Sequence, residues 1–270
     1  MSSDALDPDK TAELAVIGGG NMGAALVGGL LDSEVLSAAQ LVVVELLPDR
    51  RNELITMFPG VQIVGEVPAC RGALLAVKPG DIPGAASAVA AAGATRILSI
   101  AAGVRLATIE AAVGDGVAVL RAMPNTPALV RLGASAIAAG SSATAGDMKW
   151  ADSILSAVGI VEQMPESDLD AFTGVAGSGP AYVFLVAEAL VDAAITEGLS
   201  RPTAERIVRQ LLLGASTLLD QQGDPRRLRE MVTSPGGTTA AGIAVLEDCS
   251  IDDAFGSAVR AATERSRELG

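Results

Sequence analysis

Leu14-Ala15-Val16-Ile17-Gly18-Gly19-Gly20-Asn21-Met22-Gly23, followed by the apolar run from Ala24 to Leu31, is the stretch that decides the fold. An apolar run of strand length enters a Gly-x-Gly-x-x-Gly pattern, and an apolar run of helix length leaves it. In that context each glycine has a task. Gly18 allows the tight strand-to-helix turn, Gly20 lets a pyrophosphate approach the backbone, and Gly23 lets the helix pack against the sheet. The helix start, at Asn21 and Met22, then offers amide N–H groups and the positive end of the helix dipole to an anion.

Working outward, strand-length apolar runs at 13–17, 41–44, 73–77, 96–100 and 117–122 alternate with helical stretches as far as about Glu162. This is the pattern of βαβ units around a parallel sheet, and two further runs at 134–139 and 159–162 bracket a helical segment and extend the sheet at one edge. After Pro165 the apolar patterns are helical and no strand is read. The expected fold is an α/β Rossmann-like domain, doubly wound around a mostly parallel sheet, over residues 1–164, followed by an all-α dimerisation domain over 165–270. In the second domain a helix is expected to start at Pro180, with Ser178 and Gly179 capping it. Val183, Phe184, Leu185, Val186, Leu190, Val191 and Ile195 cover most of its circumference, Glu188 and Asp192 share a solvated stripe, and such a helix calls for subunit association.

In an open α/β sheet ligands bind at the carboxyl ends of the strands. Val77-Lys78-Pro79, Ser99 to Gly103 and Met123 to Pro127 are therefore expected to line the nicotinamide half of a dinucleotide. Glu45, at the end of the second apolar run, stands where an acid hydrogen-bonds the adenosine ribose and favours NAD. Arg50 and Arg51 lie close enough in sequence to meet a 2′-phosphate, which favours NADP, or to be solvated helix charges. The residues leave NADP(H) and NAD(H) both open.

Composition narrows the function classes. A formal charge of −13 with no basic cluster argues against a nucleic-acid partner and against an anionic membrane surface. Any anionic ligand must be held by backbone dipoles or single arginines. Met1 to Lys10 is polar and acidic rather than leader-like, so a cytoplasmic protein is expected. Apolar stretches are interrupted by Lys78, Pro79 and Pro83, or by Glu188 and Asp192, so no membrane span is expected. Cys70 and Cys249 are read as reduced thiols, with no metal role. Only 2% of residues are aromatic while 50% are hydrophobic, so the core must be built from Ala, Val, Leu and Ile.

The missing residues bear on the chemistry. The chain has no histidine, its lysines are Lys10, Lys78 and Lys149, and its one tyrosine, Tyr182, has no lysine four residues on. Carbonyl reduction needs a proton donor as hydride arrives, whereas an imine can enter already protonated as an iminium. Positioning and charge environment then suffice, which suits reduction of C=N.

The helical part holds one polar glycine-rich feature, Thr233-Ser234-Pro235-Gly236-Gly237-Thr238-Thr239, between Leu228 to Val232 and a helix with Gly242, Ile243, Leu246 and Glu247. Such a turn at a helix start exposes N–H groups to a small carboxylate and hydroxyls to a ring nitrogen, although Ser234 and Thr238 are also ordinary helix caps. This segment resembles the signature of pyrroline-5-carboxylate reductases. Ile17 to Gly23, Ala76-Val77-Lys78-Pro79, Ala101-Ala102-Gly103, Met123 to Pro127 with Asn125, and Gly177-Ser178-Gly179-Pro180-Ala181-Tyr182 match the same family, in order along nearly the whole chain.

The resemblance implies NAD(P)H-dependent reduction of 1-pyrroline-5-carboxylate, a cyclic imino acid, to L-proline. It implies that Gly236, Gly237 and Thr238 hold the substrate carboxylate through main-chain amides beside Ser234, and that the Thr239 hydroxyl meets the ring nitrogen. Glu166, and more loosely Thr173, match positions near substrate and nicotinamide, while Met231 stands where some members have a polar residue. It further implies a homodimer with interlocked helical domains, from which rings of dimers are built. Two other readings stay open on the residues alone: a Rossmann oxidoreductase acting on another cyclic imine or a small carbonyl, and a non-catalytic dinucleotide-sensing module, which would not need the loop at 233–239.

Overall fold

Ala12–Ile17 (β1), Leu41–Val44 (β2), Gln62–Val64 (β3), Cys70–Leu75 (β4), Arg96–Ser99 (β5), Ala118–Met123 (β6), Gly133–Ala139 (β7) and Gly159–Gln163 (β8) form one sheet in the computed structural model, which describes residues 11–270. The acidic start read at Met1 to Lys10 lies outside the described residues. The strand order is β3-β2-β1-β4-β5-β6-β7-β8. Neighbours from β3 through β6 are parallel, β7 runs antiparallel to β6, and β8 is parallel to β7. The chain order reverses between β1 and β4, so the crevice of a doubly wound sheet opens at the ends of those two strands.

Side-chain alternation divides the core into two layers. Leu14 and Val16 of β1, with Leu74, Leu98 and Leu120, face one layer. Ala15 and Ile17, with Ala73, Leu75, Ile97 and Val119, face the other. Strands buried on both sides need continuous apolar sequence, which is why these runs are Val-, Leu- and Ile-rich rather than alternating. The helices of this part are α1 (Asn21–Asp32), α2 (Pro48–Met57), α3 (Ile82–Ala91), α4 (Leu106–Val113), α5 (Ala145–Leu155) and α6 (Leu169–Phe172). Leu26, Val27 and Leu30 of α1 and Ile154 and Leu155 of α5 cover the first layer. Ile82, Ala86 and Val89 of α3 and Leu106 and Ile109 of α4 cover the second. Each such fully buried Leu, Ile or Val contributes about 1.5–3 kcal/mol, so the scarcity of aromatic residues is made good by number.

Two details depart from the expected strands. β3 was not anticipated, because its three residues are half-exposed at the sheet edge and carry no apolar run of strand length. The run expected at 73–77 is a strand over Cys70–Leu75, although the Ala76 amide still donates to the Ile17 carbonyl at 2.8 Å.

The remaining helices are α7 (Gly179–Thr196), α8 (Arg201–Gln222), α9 (Pro225–Met231), α10 (Thr238–Asp248) and α11 (Ile251–Leu269). Ser178 does not cap α7. The chain is already helical there: a π-helical turn at Thr173–Gly177 leads into it, Ser178 has helical dihedrals, and its side chain makes no capping hydrogen bond. The sequence reading took Gly-Pro as a start signal, whereas Pro180 lies in the first turn of α7 within a longer helical course.

Residues divide into two units by contact, one comprising 11–177 with 261–270 and the other Ser178–Arg260. By contact the division falls after Gly177, and α11 carries the chain from the second unit into the first. The second unit has little core of its own. Its buried hydrophobic residues are Ala204 and Val208, while Val183, Phe184, Leu185 and Val186 of α7 are all exposed. The helical course Glu166–Thr196 is long and apolar enough, at a mean hydropathy of 1.4, to cross a membrane by length and composition, and only 6% of that window is buried within the chain. That uncovered apolar surface is the main structural fact about the second unit.

Candidate active site

The turn after β1 is built for close approach. Gly18 has φ +104°, and a Cβ placed there would lie 2.6 Å from the Ala76 carbonyl oxygen, so the ends of β1 and β4 meet with no room for a side chain. Gly23 is held as tightly, since a Cβ would lie 2.2 Å from the Gly18 carbonyl oxygen. Gly20 differs: nothing lies within 4 Å of its Cβ position, and the residue is exposed. The open space at Gly20 is where a ligand phosphate would come against the backbone. The Gly18 amide donates to Val44 O at 2.8 Å and the Gly19 amide to Glu45 Oε2 at 3.0 Å. The amides of Gly20, Asn21, Met22 and Gly23 have no partner among the described residues. Four unsatisfied donors at the start of a helix are suited to an anion and would let an acidic chain hold a polyanion. These residues fit the diphosphate of a dinucleotide.

Around this cradle, Glu45 caps its own loop, its Oε1 accepting from the Leu47 amide at 2.9 Å. Arg50 Nε donates to the Gly19 carbonyl at 2.8 Å and its Nη1 pairs with Glu53. Arg51 Nη1 donates to the carbonyls of Glu45 and Leu46. Val77, Lys78 and Pro79 follow β4 at the adjacent strand end, with Lys78 and Pro79 exposed. Ala101 is buried, Ala102 exposed, and Gly103, at φ +76°, packs against Leu269 so closely that a Cβ would lie 2.9 Å from the Leu269 carbonyl oxygen. The loop after β5 is thus braced from behind by the end of α11.

Asn125 is held by its own side chain. Its Nδ2 donates to Ala176 O at 3.0 Å and its Oδ1 accepts from the Ala134 amide at 2.9 Å, so the side chain ties the π-helical turn to the loop after β6. Glu166 is also engaged: Oε1 accepts from Arg121 Nη1 at 2.9 Å and from the Leu106 amide at 2.8 Å, serving as a remote cap for α4. Arg121 is 4% exposed and Glu166 26%. Sequence reading missed this pair. Its signal was a lone arginine inside the apolar strand Ala118–Met123, which demands a buried partner. A second tie, also missed, has buried Asp170 accepting from Ser266 Oγ at 2.7 Å and Arg105 Nη2 at 3.1 Å, fixing α11 to the start of α4.

In the second unit, Gly236 has φ +70° and turns the chain into α10. The Gly237 amide donates to Ser234 O at 3.0 Å, so, unlike the expectation, it is not free for a ligand. The amides of Gly236, Thr238 and Thr239 have no partner among the described residues, and α10 has no side-chain cap. Nor do the hydroxyls of Ser234, Thr238 and Thr239 bond to any described residue, whereas Thr233 is engaged with Arg229 O at 2.6 Å. The capping explanation for Ser234 and Thr238 therefore fails. What remains is a helix start at which the amides of Gly236, Thr238 and Thr239 and the hydroxyls of Ser234, Thr238 and Thr239 are unused, a constellation suited to a carboxylate and a neighbouring polar atom. Met231 is exposed at the end of α9. Among the described residues no group of three or more acidic, Cys or His side chains is placed to hold a metal.

Comparison with known proteins agrees with both halves. Residues 13–103 match the family model described as NADP oxidoreductase, coenzyme F420-dependent, and residues 166–269 match that of pyrroline-5-carboxylate reductase dimerisation. The chain is 41% identical to a pyrroline-5-carboxylate reductase of Synechocystis sp., over 96% of this chain and 98% of the relative. It is 40% identical to that of Mycobacterium tuberculosis over 96% and 97% of the two chains. The structure of the pyrroline-5-carboxylate reductase from Coxiella burnetii superposes with a TM-score of 0.89 at 33% identity, covering 97% of this chain and 99% of that one. The Plasmodium falciparum pyrroline carboxylate reductase with NADP bound does so at 0.83 and 29% identity, covering 96% and 98%. With the glycine cradle, the unused amides of α10 and likeness along nearly its whole length, the chain belongs to the pyrroline-5-carboxylate reductase family.

Proposed function

We propose that this chain reduces 1-pyrroline-5-carboxylate to L-proline with NADPH or NADH. The observation that carries the reading is the identity of about 40% with reductases of that name over 96% of the chain. In the reaction the ring C=N, protonated as an iminium, takes hydride at carbon while the π electrons move to nitrogen. The bound nicotinamide supplies that hydride. The free amides of Gly20, Asn21, Met22 and Gly23 hold the diphosphate, and the loops at Ala76 to Pro79 and Ala101 to Gly103 shape the nicotinamide end. At the start of α10 the amides of Gly236, Thr238 and Thr239 hold the substrate carboxylate, and the Thr239 hydroxyl orients the ring nitrogen. Glu166 positions rather than transfers protons, because its carboxylate already serves Arg121 and the Leu106 amide. No histidine or lysine is needed as an acid, since the proton arrives with the iminium.

The exposed apolar surface of α7 is covered by a second copy of the chain, in keeping with the dimerisation model that spans it. The working unit is then a cytoplasmic homodimer, which rings of dimers can extend. Absorbance at 340 nm tests the reading: NADPH or NADH should be oxidised only when pyrroline-5-carboxylate is present. Tight dinucleotide binding with no turnover of that imine would replace it with the sensing module, and turnover of other imines alone would move the substrate.

A further inference from the structure

Which dinucleotide the cradle prefers is written in the contacts around Glu45. The residue directly follows β2, next to β1 in the sheet, and its carboxylate reaches across to the fingerprint loop, accepting from Gly19 N at 3.0 Å while its other oxygen accepts from Leu47 N at 2.9 Å. The two amides fix the carboxylate in place, half-buried, next to Gly20, where the backbone lies open to a ligand. An acid in this position has lone pairs left to accept from the vicinal hydroxyls of an unmodified adenosine ribose. Toward a 2′-phosphate, with a charge of about −1.5 to −2, it presents only like charge.

The cations that could reverse this are engaged elsewhere. Arg50 is held between the Gly19 carbonyl and Glu53, its side chain 23% exposed. Arg51 is held by two carbonyls of the Glu45 loop. Each guanidinium is oriented by a hydrogen bond that shapes the cradle, which restricts how it can turn toward a phosphate. Among the described residues neither Asp49 nor Arg51 of α2 makes an ion pair, so these two opposite charges offset one another in sum. Both cations of the segment 45–53 thus commit a donor to a backbone carbonyl of the cradle.

We propose that Glu45 makes this chain a selector for the dinucleotide without a 2′-phosphate, so that NADH is its preferred reductant. The proposal rests on the dinucleotide reading above and specifies it. Two like charges about 5 Å apart at an effective dielectric constant of about 40 discriminate by roughly tenfold or more. NADH should therefore bind at least about tenfold more tightly than NADPH.

The test is calorimetric titration of the full-length protein, free of substrate, with NADH and NADPH, and with ADP-ribose and its 2′-phosphorylated form, which carry the adenosine half alone and cannot react. Glu45→Gln keeps an acceptor for the Gly19 amide and removes the charge. It should bring the preference down to about threefold or less, mainly by tightening the 2′-phosphorylated ligands, with an unchanged melting temperature showing that the fold is kept. Arg50→Ala should weaken both ligands of a pair alike, through the loosened Gly19 turn. Tighter binding of NADPH than NADH by the parent, or a loss confined to the phosphorylated ligands in Arg50→Ala, overturns the proposal and leaves the dinucleotide site standing. Binding of none of the four ligands overturns the dinucleotide reading itself.

Discussion

Replacing Glu166 separates a positioning role from a proton-transfer role. One oxygen of its carboxylate serves two buried donors, Arg121 Nη1 at 2.9 Å and the Leu106 amide at 2.8 Å. Arg121 is only 4% exposed, so Glu166→Ala leaves a guanidinium in the core without a counter-ion, a change that costs about 3–5 kcal/mol when both partners are buried. Because Glu166 is 26% exposed, water can follow the truncation, which places the ionic part near the lower end of that range. The orphaned amide at the start of α4 adds about 1 kcal/mol. A total of roughly 4 kcal/mol corresponds to a fall of about 10 °C in melting temperature for a chain of this size. Glu166→Gln retains an acceptor for both donors and loses only the charge, so it should cost roughly 1–2 kcal/mol, or a few degrees. Thermal denaturation of the three proteins, with imine kinetics on the same preparations, decides the matter. An unchanged melting temperature in Glu166→Ala would refute the structural assignment. A Glu166→Gln protein that melts like the parent yet turns over more than about a hundredfold more slowly would show that the carboxylate takes part in the chemistry.

Gly20→Val should fold normally and lose dinucleotide affinity by more than about tenfold, because its side chain enters open space that the diphosphate needs, while Gly23→Val should lower the melting temperature, because a Cβ there lies 2.2 Å from the Gly18 carbonyl oxygen. Calorimetry and thermal melts on both variants check the contrast; Gly20→Val with parental affinity would remove the cradle from the binding site. Thr239→Val keeps the shape of α10 but removes one hydroxyl, which at about 1–3 kcal/mol lowers kcat/KM for the imine roughly 5- to 150-fold with dinucleotide affinity little changed. A fall in stability with normal kinetics would mark the residue as structural instead. Burial pushes the Cys70 thiol up to about 11, so at pH 8 its reactive thiolate is scarce. A disulfide reagent at that pH should leave Cys70 unmodified until denaturant is added, and prompt labelling of Cys70 in the folded protein would contradict its burial.

Much of the Rossmann half was legible because its signals are local. Strands buried on both faces read as unbroken apolar runs, and the glycine spacing around Gly18, Gly20 and Gly23 follows from backbone approach alone. β3 escaped because three half-exposed edge residues carry neither signal. The strength of the turn at 233–239 was also legible, as an excess of glycine and hydroxyl residues beyond what a helix start needs, but not that the Gly237 amide closes the turn on Ser234. The roles of Asn125 and Glu166 were hidden for another reason. Their partners, Ala176 and Arg121, lie 51 and 45 residues away, and no spacing rule links them. Likewise the sequence placed Glu45 and Arg50 near one another without showing that both grip Gly19, one by its amide and the other by its carbonyl.

The second unit, whose buried hydrophobic side chains are Ala204 and Val208, also bears on how the protein is made and kept. A set of helices with so little interior cannot repay its own loss of conformational entropy, so it reaches its final form only by being packed from outside. Folding and assembly are then one equilibrium governed by mass action, and dilution acts as a denaturant. Newly synthesised chains must find each other before the α10 turn is firmly held. Catalytic capacity therefore rises more steeply than in proportion to expression when the protein is scarce.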